Sequence, residues 1–261
     1  MSDILIKYRP IPFVPVYRTL KRSFPDKWHE LSQEQFMHLS LYFENPLPDL
    51  KDKIMLLKKC LDLRGYVFYG FDHYQVHMLL PLFDWMENIA FNKVFIERFN
   101  AGGMDFYGPK DGFENLSFDE FIVADTYFVR FLNSKDLGDL FRMAYALYRP
   151  MDPAGTRALI NEVDLDQHRD QISKINPHLL LAIVFNYRIV RRWIEQAYPL
   201  VFPGTASDEA TQKHQKKIPT PKWTKVRSQL AGDVIADIPR IGKLPLHTVL
   251  HALSERIKKS A

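Results

Sequence analysis

The sequence predicts a mainly α protein: a multi-helix globular domain with a small β element and a C-terminal helical hairpin. Three observations predict it. Apolar residues recur at helical spacing along much of the chain, as in Leu137, Leu140, Phe141, Ala144, Tyr145 and Tyr148. Two segments open with a capping-box pattern, Ser32 with Gln35 and Ser117 with Glu120, in which each residue satisfies the other's free backbone donor. Runs of β character are few and short. With 46% hydrophobic and 25% charged residues, a chain of 261 residues can bury a real core, which argues against wholesale disorder.

Residues 1–25 are expected to form an extended, proline-rich arm. Ile4 and Ile6 alternate with Leu5 and Lys7, and Pro10, Pro12 and Pro15 follow no helical period. Proline removes backbone donors, so such an arm belongs on an edge or surface. A main helical domain over residues 26–202 comes next. Phe36, Leu39, Ser40 and Phe43 make its first stripe, ended by Asn45-Pro46. Leu50, Ile54, Leu57 and Leu61 make the second, with Gly65 as the expected stop.

Tyr66 to Phe71 and Lys93 to Phe99 are candidate strands that could pair, with a helix restarting at Pro81 between them. Residues 101–112 hold four glycines and predict a loop. Helices then follow from Ser117, through Phe121, Ile122, Phe128, Phe131 and Leu132, and from Leu137 to the halt at Pro150. Pro177 opens a long helix that ends near Tyr198.

Residues 203–222, rich in Pro, Gly, Ser, Thr and Lys, form the expected linker. Residues 223–261 form the hairpin, with Trp223, Val226, Leu230 and Val234 on one stripe and Leu246, Val249, Leu250, Leu253 and Ile257 on the other. Two such helices cannot bury their apolar faces alone, so the hairpin must dock on the main domain or on a partner.

The chemistry-bearing patterns are sparse. His73 with His77 and His247 with His251 have the four-residue spacing that puts two imidazoles on one helical face, but neither pair carries the Glu of HExxH. Asp164, Asp166 and His168 lack the glycine and terminal glutamate of a calcium loop. The glycines at 102, 103, 108 and 112 match neither phosphate-binding fingerprint. Cys60, the single cysteine, lies on the apolar side of a helix; it excludes an internal disulfide and is consistent with a reducing cytoplasm. No catalytic, cofactor-binding or metal-binding residue is assigned.

The net charge of +4 is far from the basic field of a dedicated nucleic-acid binder, although Arg188, Arg191 and Arg192 lie beside Tyr187, Trp193 and the linker lysines. The most apolar run, Leu179 to Phe185, spans seven residues where a membrane helix needs about 20. Prolines also break Met1 to Leu20, which has no apolar core of a secretion signal. A protein that binds other proteins in the cytoplasm is the expectation, with its oligomeric state open.

Several blocks resemble proteins of tailed phages and prophages of the Bacteroidetes: "WHELSQEQF" at 28–36, "LSFDEFIVADTYFVRFL" at 116–132, "MAYALYRP" at 143–150 and "LLAIVFNYRIVRRWIEQAYPLVF" at 180–202. A closing block from Trp223 to Leu253 completes the set. That family is similar to tail assembly chaperones, which hold the tape-measure protein while the tail tube polymerises. The resemblance implies a non-enzymatic assembly factor in the bacterial host cytoplasm, and it carries no active-site residues. The partner-binding residues expected on that reading are Trp223, Leu230, Leu246, Leu250 and Leu253. The alternative is a structural virion component of the tail, connector or baseplate.

Overall fold

The expected N-terminal arm folds back on itself as a hairpin. In the computed structural model, strand β1 (Ser2–Tyr8) pairs antiparallel with β2 (Arg18–Phe24), in the register Ser2↔Phe24 to Tyr8↔Arg18. Period-two alternation sets the two faces: Ile6, Tyr8 and Phe24 turn to the core, while Leu5 and Lys7 face solvent. The structure describes residues 1–10, 16–45, 47–63, 71, 73–87, 91–151, 157–158, 169–202, 223, 226, 230 and 238–260. The expected linker, the Asp164–His168 cluster and the candidate strand over 66–70 lie outside them.

The chain divides into two units, Met1–Ile89 and Ala90–Ala261. The boundary falls within the stretch that the sequence assigns to one main domain. The first unit continues from the β hairpin into a single 3-10 turn (Trp28–Glu30), then α1 (Gln33–Glu44) and α2 (Leu50–Cys60), which pack on each other. Ser32 and Gln35 form the expected capping box at α1, and Asp49 with Asp52 makes a second at α2. Helix α2 stops before Gly65: Asp62 takes a left-handed conformation, which aspartate tolerates better than most residues. Then α3 (His73–Leu79) tightens into a 3-10 helix over Leu80–Glu87, so Pro81 continues an existing helix where a restart was expected.

The core of this unit is aromatic, with Phe24 edge-on to Phe83 at 5.3 Å and Trp28 edge-on to Trp85 at 5.3 Å. Cys60 is buried on the inner face of α2, and burial pushes its thiol up to about 12. A thiolate is the reactive form. Cys60 in the native protein should therefore resist Ellman's reagent at pH 8, and its full reaction should appear only in denaturant.

In the second unit Lys93–Phe99 was expected to supply a strand, and its expected partner over 66–70 lies outside the described residues. Only Arg98–Ala101 is strand (β3), and it pairs with β4 (Met104–Tyr107) inside the segment predicted to be a loop. Gly102 and Gly103 both have positive φ, 59° and 83°, as the tight two-residue turn of a β-hairpin requires. Tyr107 also exchanges two backbone hydrogen bonds with Arg149, of 2.7 and 3.0 Å.

Four helices follow among the described residues: α4 (Phe118–Ser134), α5 (Leu137–Leu147), the one-turn α6 (Arg169–Ile172) and α7 (Pro177–Ala197). Ser117 and Glu120 form the expected capping box of α4, and Asn176 caps α7 with Pro177 in its first turn. The broadest helix contact is α4 with α5, which together bury Phe121, Phe128, Leu140, Ala144 and Tyr145. α7 places Ile183, Phe185, Tyr187 and Val190 in the same core.

The C-terminal segment docks on this unit. It comprises α8 (Ile238–Gly242) and α9 (Leu246–Ser260), together with Trp223, Val226 and Leu230 in helical conformation. The Leu246 N–H donates to Leu116 O at 2.9 Å, and the Phe118 N–H donates to Leu244 O at 2.9 Å. The fold is thus mainly α, with two small two-stranded sheets among the described residues.

Candidate functional site

The residues expected to form a partner-binding face are mostly interior. Leu246 and Leu250 are 0% exposed and Trp223 is 5% exposed, while Leu230 and Leu253 are half-buried. An amphipathic stripe shows that a face must be covered, and here the chain's own core covers it. Trp223, Leu246 and Leu250 thus pack within this unit, the first of the two dockings the sequence allowed.

The deepest polar group in this region is Asp125, fully buried in the middle of α4. The carboxylate collects three donors. Arg191 Nε lies 2.5 Å and the Tyr187 hydroxyl 3.2 Å from Oδ1, and Trp223 Nε1 donates to Oδ2 at 2.7 Å. Arg191 also pairs with Glu195 one turn further along α7. Burial opposes the charge on Arg191, yet Asp125 and then Glu195 outweigh it and raise its pKa. Burial first, then Asp125, holds the Tyr187 hydroxyl well above its ordinary value. The three donors tie α4, α7 and Trp223 together. The cluster also removes Tyr187, Arg191 and Trp223 from any exposed stacking platform.

His247 is similarly committed. Its Nε2 lies 2.7 Å from Gly112 O and its Nδ1 lies 2.9 Å from the Tyr198 hydroxyl. A carbonyl only accepts, so Nε2 carries the hydrogen, and in the neutral ring Nδ1 accepts from Tyr198. Both nitrogens are occupied, and His251 is exposed, so the pair does not converge on a metal. Among the described residues no group of three or more His, Cys, Asp or Glu could hold one.

Two other features remain available to a partner. The second unit has a cleft of about 690 Å³ lined by Glu97, Lys110, Glu114, Glu120, Arg157 and Lys243. Arg157 and Glu120 are bonded to each other at 3.0 Å, and Arg157 also donates to Leu147 O at 2.7 Å. The cleft's three cations and three carboxylates balance in number.

The first unit carries the apolar surface. Of the fourteen exposed large hydrophobic residues among those described, nine lie in Met1–Ile89, although it is the smaller unit. They include Leu47, Leu50 and Met55 around α2, and Tyr74 and Met78 on α3. Tyr74 and Met78 are 70% and 59% exposed and sit four residues apart, so they share one helical face. Between α1 and α2 a smaller groove of about 200 Å³ is lined by His38, Leu41, Tyr42, Met55 and Leu56.

Comparison with protein-family models, curated proteins and solved structures finds no match to this chain. Among the described residues, no helix is long and apolar enough to cross a membrane.

Proposed function

We propose that this chain is a non-enzymatic protein-binding factor in the assembly of a phage tail or tail-like particle, holding a tape-measure-type helical protein in the host cytoplasm. The observation that carries the binding part is the concentration of exposed apolar side chains on the first unit, above all the Tyr74–Met78 pair. Contiguous apolar exposure is a common mark of an interaction surface. A helical partner with an unburied apolar stripe can cover such residues reversibly by packing one helix against another. The tail-assembly context rests on the sequence blocks that resemble phage and prophage proteins.

Affinity purification of the tagged protein, produced together with its neighbouring genes, tests the reading. The wild type is expected to recover a long helical protein, and a Tyr74→Asn/Met78→Gln variant to recover at least about tenfold less at unchanged Tm. Surface changes of this kind usually alter stability by about 0.5 kcal/mol or less. Equal recovery would remove this face as the site. The outer edge of β2, which no main-chain group among the described residues outside the hairpin pairs, favours a second reading, a structural tail component that laces neighbouring subunits by strand addition. Retention in purified, intact particles would establish that one instead.

A further inference from the structure

We infer that the outer edge of β2 is a docking site for an extended, acidic polypeptide segment, which adds to the β1–β2 hairpin as a third strand. The inference goes beyond the assembly reading and does not depend on the Tyr74–Met78 face.

Charge is the first observation. Residues 1–24 hold five cations, Lys7, Arg9, Arg18, Lys21 and Arg22, against the single carboxylate of Asp3. The whole chain has 35 Lys and Arg and 31 Asp and Glu, so the rest of it carries thirty of each sign. The entire net charge of +4 thus resides in the hairpin. Asp3 neutralises only Lys21, at 2.6 Å between two exposed side chains. Arg9 is laid over the Tyr17 ring, its guanidinium carbon 4.9 Å from the centroid. Lys7 and Arg18 are exposed, and no carboxylate among the described residues pairs with either.

Backbone geometry is the second. Antiparallel pairs alternate between those that exchange hydrogen bonds and those whose N–H and C=O groups point away from each other. The Lys7 carbonyl accepts from Gln75 Nε2 at 2.5 Å, outside the hairpin, so Lys7↔Thr19 is a pair of the second kind. By alternation, Thr19, Lys21 and Ser23 turn their backbone groups outward along β2. No main-chain group among the described residues outside the hairpin bonds to them. Among the described residues the Lys21 carbonyl receives a 3.2 Å contact from the guanidinium of Arg22, whose Nε is itself buried without a hydrogen-bond partner.

An edge of this kind is a template for another strand. A strand laid beside β2 would place alternate side chains next to Thr19, Lys21 and Ser23 on the solvent face, and next to Arg18, Leu20 and Arg22 on the face that carries Ile6 and Phe24. Carboxylates suit the face of Arg18, which no carboxylate among the described residues pairs, while Lys21 already meets Asp3. A nucleic acid could use the cations but would leave the backbone donors and acceptors of Thr19, Lys21 and Ser23 unmatched, so the geometry favours a polypeptide.

Fluorescence anisotropy with the full chain tests this, using a nine-residue peptide of alternating glutamate and valine as the probe. Saturable binding is expected, weakening at least about tenfold between 50 and 300 mM salt because the contacts are exposed charges. The matching lysine–valine peptide should not bind. The acidic peptide N-methylated at alternate amides should bind at least tenfold more weakly, as should a Lys7→Glu/Arg18→Glu variant that keeps the wild-type Tm. Equal binding of the N-methylated peptide would overturn strand addition. So would a single-stranded oligothymidine that binds where the acidic peptide does not, or the absence of any peptide binding. The Tyr74→Asn/Met78→Gln variant should bind the peptide normally, so failure here and failure of the assembly reading are separable.

Discussion

Replacing Asp125 by alanine is expected to destabilise the second unit by about 3 kcal/mol, making it one of the most damaging single changes in the protein. The side chain is fully buried and accepts from Arg191, Tyr187 and Trp223 at once. Removing one partner of a buried ion pair costs about 3–5 kcal/mol because the other charge is left uncompensated. Here Glu195 still faces Arg191, which keeps the cost near the lower end. At about 2–4 °C per kcal/mol for a domain of this size, Tm should fall by about 6–12 °C. Urea unfolding followed by circular dichroism would measure it. A loss below about 1 kcal/mol would mean that water reaches Arg191 in solution and that the cluster contributes little.

Asp125 also shows where sequence reading stops. It lies on the apolar stripe of α4, between Phe121, Ala124, Phe128 and Val129, and a lone acid there was the one signal that could have marked it. Its partners are 62, 66 and 98 residues away, beyond any local pattern. What was legible was local. Both capping boxes and the proline opening of α7 depend on residues within one turn of each other, and all three formed. The β3–β4 hairpin was missed although its signal was local too. Gly102-Gly103 flanked by short runs marks a tight turn, but four glycines within residues 101–112 suggested one long loop.

The cover of the C-terminal stripe was not legible for a different reason. Periodicity shows that Leu246, Val249 and Leu250 need cover, and it says nothing about whose atoms supply it. That information lies in tertiary contacts such as the Leu246–Leu116 and Phe118–Leu244 backbone bonds. The exposure of apolar residues on the first unit is illegible in the sequence for the converse reason. Leu50 belongs to a stripe that reads as core, yet it is 60% exposed at the start of α2, while Leu57 and Leu61 on the same stripe are buried.

Trp223→Ala is the second change with a large expected effect, about 3–5 kcal/mol, the usual cost of emptying a buried aromatic site. The indole meets Phe121 at 5.5 Å, Phe202 at 5.6 Å and Phe118 at 6.0 Å between ring centroids, all edge-on. Its N–H is one of the donors to Asp125. Trp223→Phe keeps most of the ring contact and loses only that donor, so about 1–3 kcal/mol is expected. The two effects share one hydrogen bond, and the Asp125→Ala/Trp223→Ala double variant should therefore lose less than the sum of the singles, by about 0.5–3 kcal/mol. Additive losses would show that the bond adds nothing and that Trp223 acts through its ring alone. If Trp223→Ala left stability unchanged, the segment would not be docked in solution, and its apolar face would again be open to a partner.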